Sequence, residues 1–294
     1  MSTPRFLDLP PGVRRIDVPT ALGPIAALHA MPTAGGTDRQ TAVLVPGYTG
    51  SKEDFIALLQ TLAQAGRSVL AIDMPGQYES PGPKDPESYT REGLGRAVTE
   101  VVRALDEGPV HLLGHSFGGL VTREAVLANE APLLSFTLMS SGPSAISGLR
   151  AVDAQRLKTA LEASPTRERL REVWDEYLEA PARSSGISDE IHAFLRARML
   201  ANDPHGLVRM ADVILSAPDR SAELAQVDLP KLVIYGEDDD AWPTEVQADM
   251  AQRVGARRVV IPGACHSPNV EAPETTASAL TRFWHDAETP ARTS

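Results

Sequence analysis

A serine between two glycines has the setting in this chain that best suits chemistry. The stretch Gly114-His115-Ser116-Phe117-Gly118 has the form G-x-S-x-G, which presents a serine on a sharp strand-to-helix turn. The apolar run "VHLLG" leads into it, and a helical pattern follows from Phe117. This context favours a nucleophile over the alternative, a helix-capping serine in a glycine-rich turn.

A serine hydroxyl becomes a nucleophile when a base takes its proton and a carboxylate orients that base. The chain has seven histidines. One of them, His266, lies where a catalytic loop is expected, after the apolar run "VVIPGAC" and before the last helical pattern. Four consecutive acids, Glu237 to Asp240, follow the preceding apolar run "LVIYG". The residues alone leave open which of Asp238, Asp239 and Asp240 would be the partner of His266.

The elements that must position these groups alternate along the chain. Short runs that are apolar on both faces predict strands, among them 41–47, 110–116 and 231–239, and amphipathic stretches between them predict helices. Such an alternation indicates a parallel sheet covered on both sides. We predict one α/β domain, whose loops after successive strands carry the serine, the acids and the histidine.

One connection breaks this alternation. Residues 146–228 carry apolar stripes at helical spacing and no strand pattern, and we predict a helical cap over the carboxyl edge of the sheet, where such sheets bind ligands. The core would then consist of residues 1–145 and 229–285, with 286–294 a frayed tail. A separate helical domain with its own partner is the alternative.

Taken together, these motifs resemble the α/β-hydrolase superfamily, in its capped, esterase-like branch with a serine nucleophile. The resemblance covers essentially the whole chain outside the two tails. It implies a mostly parallel eight-stranded sheet flanked by helices, with the cap inserted after strand six. In this family a segment G-x-x-D-x-x-x-P carries the triad acid, and residues 236–243 match it with Asp239.

The resemblance also implies an oxyanion hole. "LVPGYTGS" is similar to the family's loop after strand three, so the backbone N–H groups of Tyr48 and Phe117 are the expected donors. In "DMPGQYES" the chain departs from the family, with Gln77-Tyr78 where His-Gly is common. We expect Tyr78 to narrow the pocket and Trp242, beside the acidic run, to line it.

Composition narrows the possible partners. The net charge is −11, with 39 acidic against 28 basic residues, which argues against nucleic acid and anionic membranes. A single cysteine, Cys265, excludes a disulfide framework, and no phosphate loop or metal-ligand spacing is present. The sequence predicts no cofactor, no metal and a cytoplasmic protein without a signal peptide, and it leaves the oligomeric state open.

These features predict a hydrolase that cleaves an ester, thioester or activated amide of a small molecule through an acyl-enzyme intermediate. Three alternatives use the same residues. The chain could be a lyase or a carbon–carbon bond hydrolase with the same triad, or an acyltransferase whose pocket excludes water. It could also be a ligand-binding protein on the same scaffold, because a fold does not determine a function.

Overall fold

The computed structural model describes residues 2–289. Its centre is one sheet of eight strands: β1 (Val13–Thr20), β2 (Gly23–Ala30), β3 (Arg39–Val45), β4 (Arg67–Ile72), β5 (Val110–His115), β6 (Leu133–Met139), β7 (Lys231–Gly236) and β8 (Arg257–Ile261). Their order across the sheet is β1-β2-β4-β3-β5-β6-β7-β8. β1 and β2 form an antiparallel hairpin and β2 runs antiparallel to β4, while all other neighbours are parallel.

Parallel pairing brings the carboxyl ends of β3, β5, β7 and β8 to the same edge of the sheet. The central strands are buried on both faces, as their continuous apolar runs predict. The predicted α/β fold with a mostly parallel eight-stranded sheet is confirmed.

Helices cover both faces of this sheet. On one face α1 (Ile56–Gln64) packs against β2 and β4, and α12 (Pro273–Glu288) packs against β6 and β8. On the other lie α2 (Arg91–Leu105), α3 (Phe117–Ala128) and α10 (Thr244–Arg253). The short helix α11 (Pro268–Glu271) precedes α12. Every helix in the part of the chain described is too short or too polar to cross a bilayer.

The last helix corrects one predicted boundary. The tail was expected to begin at residue 286, but α12 continues through Glu288. The reason is tertiary, because the Glu288 carboxylate is bound by Arg39 at 3.0 Å, Arg67 at 2.8 Å and His111 at 3.0 Å. Residues 290–294 of the predicted tail lie outside the described residues.

Within the described residues, the chain between β6 and β7 contains helices and no strand. They are α4 (Gly148–Glu162), α5 (Arg167–Val173), α6 (Glu179–Ser184), α7 (Asp189–Ala201), α8 (Pro204–Ser216) and α9 (Ser221–Ala225), with a π-helical turn at Trp174–Leu178. They bury a small cluster of their own: Leu161, Leu170, Val173, Trp174, Ile191, Leu195, Met199 and Leu207. We refer to residues 146–228 as the helical segment.

Candidate active site

Ser116 lies on a strained turn between β5 and α3. Its backbone has φ 55° and ψ −122°, a left-handed conformation that costs a residue with a side chain free energy. The glycines on either side allow the turn to close. A Cβ on Gly114 would lie 2.3 Å from the carbonyl oxygen of Gly118, and one on Gly118 would lie 2.4 Å from that of Pro46. The glycine spacing read from the sequence therefore has a steric cause.

A chain of hydrogen bonds joins the three predicted groups. The Ser116 Oγ lies 2.9 Å from Nε2 of His266, and Nδ1 of the same ring lies 2.9 Å from Oδ1 of Asp239. The serine follows β5, the aspartate follows β7 and the histidine lies in the loop after β8. All three side chains are buried. The parallel order of the strands thus brings together residues that are up to 150 positions apart.

The Asp239 carboxylate is held in its ionised form. It accepts hydrogen bonds from the N–H of Ala241 at 2.9 Å and from Nε2 of Gln247 at 3.0 Å. Burial acts to raise the pKa of Asp239, but the contact with His266 and these two donors outweigh burial and lower it below its ordinary value. Asp238 and Asp240, the two alternatives from the sequence, are exposed.

His115, directly before the serine, supports the histidine loop. Its Nε2 bonds to the backbone carbonyl of His266 at 2.9 Å, and the two rings are 5.2 Å apart. Burial, together with the neighbouring His266, lowers the pKa of His115 to about 3, so the ring is neutral and its Nε2 carries the proton. This contact could not be predicted from the sequence, because a side chain on a tight turn can point to either side.

The loop after β3 passes beside the serine. A Cβ on Gly47 would lie 3.1 Å from the Cβ of Ser116 and 3.5 Å from its Oγ. Across residues 2–289, neither the N–H of Tyr48 nor that of Phe117 donates to a protein acceptor. The two predicted oxyanion donors are therefore available to a bound group.

A cavity of about 440 Å³ opens above Ser116 and His266. Its walls come from the helical segment and are mostly apolar: Ile146, Ala154, Leu157, Val173, Leu178, Leu195, Met199 and Ile214. Four charged side chains line it: Asp54, Arg150, Asp153 and Arg156. The Arg156 guanidinium is exposed and lies 4.0 Å from the Asp153 carboxylate. Arg150 bonds to Asp240 at 3.0 Å, and Asp54 bonds to the buried Arg198 at 2.7 Å.

The amino-terminal residues also line this cavity, which the sequence did not indicate. Ser2 and Thr3 contribute to its wall. The Ser2 hydroxyl lies 2.9 Å from that of Ser267, next to the histidine, and the Ser2 carbonyl accepts a hydrogen bond from Arg198 at 2.8 Å. No local pattern could reveal this placement, because the partners are about 200 or more residues away along the chain.

The two residues expected to shape the pocket lie elsewhere. Neither Tyr78 nor Trp242 is among the residues that line the cavity. Tyr78 packs edge-on against Phe194 with ring centroids 5.6 Å apart, and its other neighbour is the ammonium group of Lys52. Trp242 is buried and its Nε1 donates to the Ser144 carbonyl at 3.1 Å. Both rings are turned into packing contacts.

Two carboxylates and one imidazole lie close enough to one another to suggest a metal site. Ligand atoms of Asp239, Asp240 and His266 all lie within 4.8 Å of one another. Two of these groups bond to each other in the chain that ends at the serine, and Asp240 is held by Arg150. The sequence spacing did not predict this cluster, since the fold brings His266 to the acidic run.

A strand-to-helix elbow that holds a serine against a histidine and an acid from later strands defines the class of α/β hydrolases. The model of the alpha/beta hydrolase family matches residues 42–279, and the chain belongs to this family.

Among curated relatives, a 2-hydroxy-6-oxononadienedioate/2-hydroxy-6-oxononatrienedioate hydrolase of Cupriavidus pinatubonensis is 28% identical over 232 residues. That alignment covers 74% of this chain and 76% of the relative.

Solved structures share the fold. A thermophilic esterase from Thermogutta terrifontis aligns with a TM-score of 0.72 and 23% identity, over 94% of this chain and 100% of its own. An esterase from Exiguobacterium antarcticum aligns with a TM-score of 0.73 and 16% identity, over 92% and 100%.

Proposed function

We propose that this protein is a serine hydrolase that cleaves an ester, thioester or activated amide of a small molecule through an acyl-enzyme intermediate. The observation that carries the proposal is the chain of hydrogen bonds from Asp239 through His266 to Ser116, which ends at the floor of a cavity. Membership of the alpha/beta hydrolase family supports it independently.

In the proposed mechanism each group has a role. Ser116 Oγ attacks the substrate carbonyl while Nε2 of His266 takes its proton, and Asp239 orients the ring and stabilises the imidazolium that forms. The oxygen of the tetrahedral intermediate gains negative charge and is held by the N–H groups of Tyr48 and Phe117. His266 then protonates the leaving group, and a water molecule activated by the same ring releases the acyl group.

The cavity favours an apolar acyl group. Its walls are aliphatic, and the two arginines that line it have aspartates beside them, Arg150 with Asp240 at 3.0 Å and the exposed Arg156 with Asp153 at 4.0 Å. A carboxylate placed among the aliphatic side chains would lose its hydration without a buried cation beside it. We therefore propose that neutral esters with an aliphatic acyl chain are better substrates than esters of dicarboxylic acids.

A carbon–carbon bond hydrolase is the second candidate. It is favoured by the named activity of the Cupriavidus pinatubonensis relative, whose substrates are dioates. The aliphatic walls of this cavity count against a dianionic substrate. Assay of a vinylogous 1,5-diketone with a terminal carboxylate, beside neutral esters, separates the two candidates.

The first experiment is labelling with a fluorophosphonate probe, which reacts with activated serines. Wild type, Ser116→Ala and His266→Ala are compared, and the same preparations are tested on p-nitrophenyl esters of increasing acyl length. We expect labelling and turnover of the wild type alone, with a preference for aliphatic chains of intermediate length. Folded wild-type protein that is neither labelled nor active on any ester would overturn the proposal.

A further inference from the structure

Gln77 has a fully buried side chain. The sequence predicts no function for it. Its Nε2 donates to the carbonyl oxygen of Gly47 at 2.9 Å, and its Oε1 accepts from the N–H of Met74 at 3.3 Å. The two contacts fix the orientation of the amide, since a flipped amide would set donor against donor and acceptor against acceptor. The side chain therefore connects the loop after β4 to the loop after β3.

The atom that Gln77 holds belongs to a peptide of the proposed oxyanion hole. The Gly47 carbonyl oxygen accepts a second hydrogen bond, from the N–H of Gly50 at 3.0 Å. The peptide between Gly47 and Tyr48 is trans, so the N–H of Tyr48 points opposite to that carbonyl. Two donors on the oxygen thus fix the direction of the N–H on the other side of the same plane.

That direction matters because the peptide begins beside the nucleophile. A Cβ added to Gly47 would lie 3.5 Å from Ser116 Oγ. The Tyr48 N–H donates to no acceptor among the described residues. Left to itself, an unpaired N–H on a glycine-containing loop would gain hydration by turning towards water. A buried donor on the opposite side of the peptide prevents this rotation.

We propose that Gln77 is the positioning residue of the oxyanion hole, which keeps the Tyr48 N–H directed at the oxygen of the tetrahedral intermediate. The inference rests on the proposed serine hydrolase function and adds the group that preorganises one of its donors. Gln77 is not among the residues that line the cavity, so we expect its contribution to arise in the transition state and not in substrate binding.

The test compares Gln77→Met, which keeps the volume and removes the donor, with Ser80→Ala as a matched control. Ser80 is buried in the same loop and also makes one donated and one accepted hydrogen bond, to the Asp73 carbonyl and from the Ala26 N–H, both at 2.9 Å. Neither partner of Ser80 belongs to the oxyanion loop. Loss of stability alone would therefore affect both variants, whereas loss of alignment would affect only the first.

With the best p-nitrophenyl ester, we expect Gln77→Met to lower kcat by about 10- to 100-fold, with KM within about threefold of wild type. The inhibition constant of a trifluoromethyl ketone, which forms a tetrahedral adduct with an active serine, should rise by the same factor as kcat/KM falls. Ser80→Ala should leave kcat and this inhibition constant within about twofold.

Gln77→His keeps an N–H donor and should restore most of kcat, which provides a second measurement if Gln77→Met does not fold. Wild-type kcat and ketone inhibition in folded Gln77→Met would overturn the inference and leave the hydrolase proposal intact. If Gln77→Met does not fold, the test is made with Gln77→His. A kcat about 10-fold or more below wild type in folded Gln77→His would then overturn the inference. Wild-type protein inactive on every ester would overturn both, because no oxyanion would then be stabilised.

Discussion

Among the described residues, two hydrogen-bonded sets of serine, histidine and carboxylate lie at opposite ends of β5. One contains an aspartate and the other a glutamate, and their surroundings differ. At the carboxyl end Ser116, His266 and Asp239 are joined by two contacts of 2.9 Å. Near the amino end His111 lies 2.8 Å from the Ser135 hydroxyl and 3.0 Å from the Glu288 carboxylate. We refer to this second set as the basal cluster.

The surroundings of the two sets explain why one is a candidate for catalysis and the other is structural. Ser135 lies within the regular strand β6, is fully buried and does not line the cavity. Glu288 is neutralised by Arg67 and Arg39, and His111 stacks on Trp284 with centroids 5.4 Å apart. Chemistry at a serine therefore requires a cavity, unpaired N–H groups and a turn that presents the serine to that cavity, in addition to a histidine and an acid.

The largest expected difference concerns the two serines. Ser116→Ala removes the proposed nucleophile and should lower kcat at least about 10⁴-fold. Ser135→Ala removes one buried hydrogen bond and should lower the free energy of unfolding by about 1 kcal/mol, with kcat unchanged. Ester turnover and urea unfolding of both variants check this. Substantial activity in purified Ser116→Ala would break the comparison.

The carboxylates should differ nearly as much. Asp239→Asn keeps the shape but no longer favours the tautomer of His266 that accepts the serine proton, so kcat should fall by about 10³- to 10⁴-fold. Glu288→Gln should leave kcat near the wild-type value. Asp238→Asn and Asp240→Asn are the controls for the acidic run, and each should retain kcat within a few-fold. If kcat fell further in either control than in Asp239→Asn, the carboxylate that acts with His266 would be the one at the control position.

The basal cluster should make stability depend on pH. Burial lowers the pKa of His111 from 6.5 to about 4, although its contact with Glu288 opposes this. Between these values the unfolded chain binds a proton that the folded chain does not, so the contribution of His111 to stability falls by about 3 kcal/mol as the pH drops from 6.5 to 4.

Urea unfolding of wild type and His111→Gln at pH 7 and pH 5 isolates this contribution from the other titrating groups. The wild type should lose more stability between the two pH values than the variant. Equal losses would mean that His111 is not held neutral by its burial. Glu288 acts in the same direction at lower pH, because burial acts to raise its pKa but His111 and the arginines lower it to about 2.

The smallest expected effect is the difference in stability between a glycine and an alanine variant, which should have opposite signs at Ser116 and Ser135. Ser116 has φ 55°, a conformation that glycine adopts without strain, so Ser116→Gly should unfold with a free energy about 1 kcal/mol higher than Ser116→Ala. Ser135 lies in a strand, where glycine is the weaker residue, and Ser135→Gly should be about 1 kcal/mol less stable than Ser135→Ala. The same sign at both positions would show that the turn at Ser116 is not strained.

Some of this arrangement could be predicted from the sequence because its causes are local. The glycines around Ser116 follow from the space available at the turn, and the alternation of apolar runs follows from burial of parallel strands. The positions of Asp239 and His266 after later strands follow from sheet topology together with the family spacing.

Other features depend on contacts that no local pattern contains. The orientation of the Tyr78 ring follows from its contact with Phe194, and that of the Trp242 ring from its hydrogen bond to the Ser144 carbonyl. Glu288 extends the last helix because two arginines from distant strands bind it. Ser2 reaches the cavity through Ser267, 265 residues away. Side-chain direction and long-range pairing decide these cases, whereas residue type and spacing decided the others.

The separation of Ser116 and His266 by 150 residues also sets an order in time. During synthesis the strand that carries the serine can pair with β3 as soon as both have left the ribosome, since domains fold from the amino end. The histidine follows only after the helical segment and β8 have been made. Until then the nascent chain carries Ser116 without the base that the proposed mechanism assigns to it.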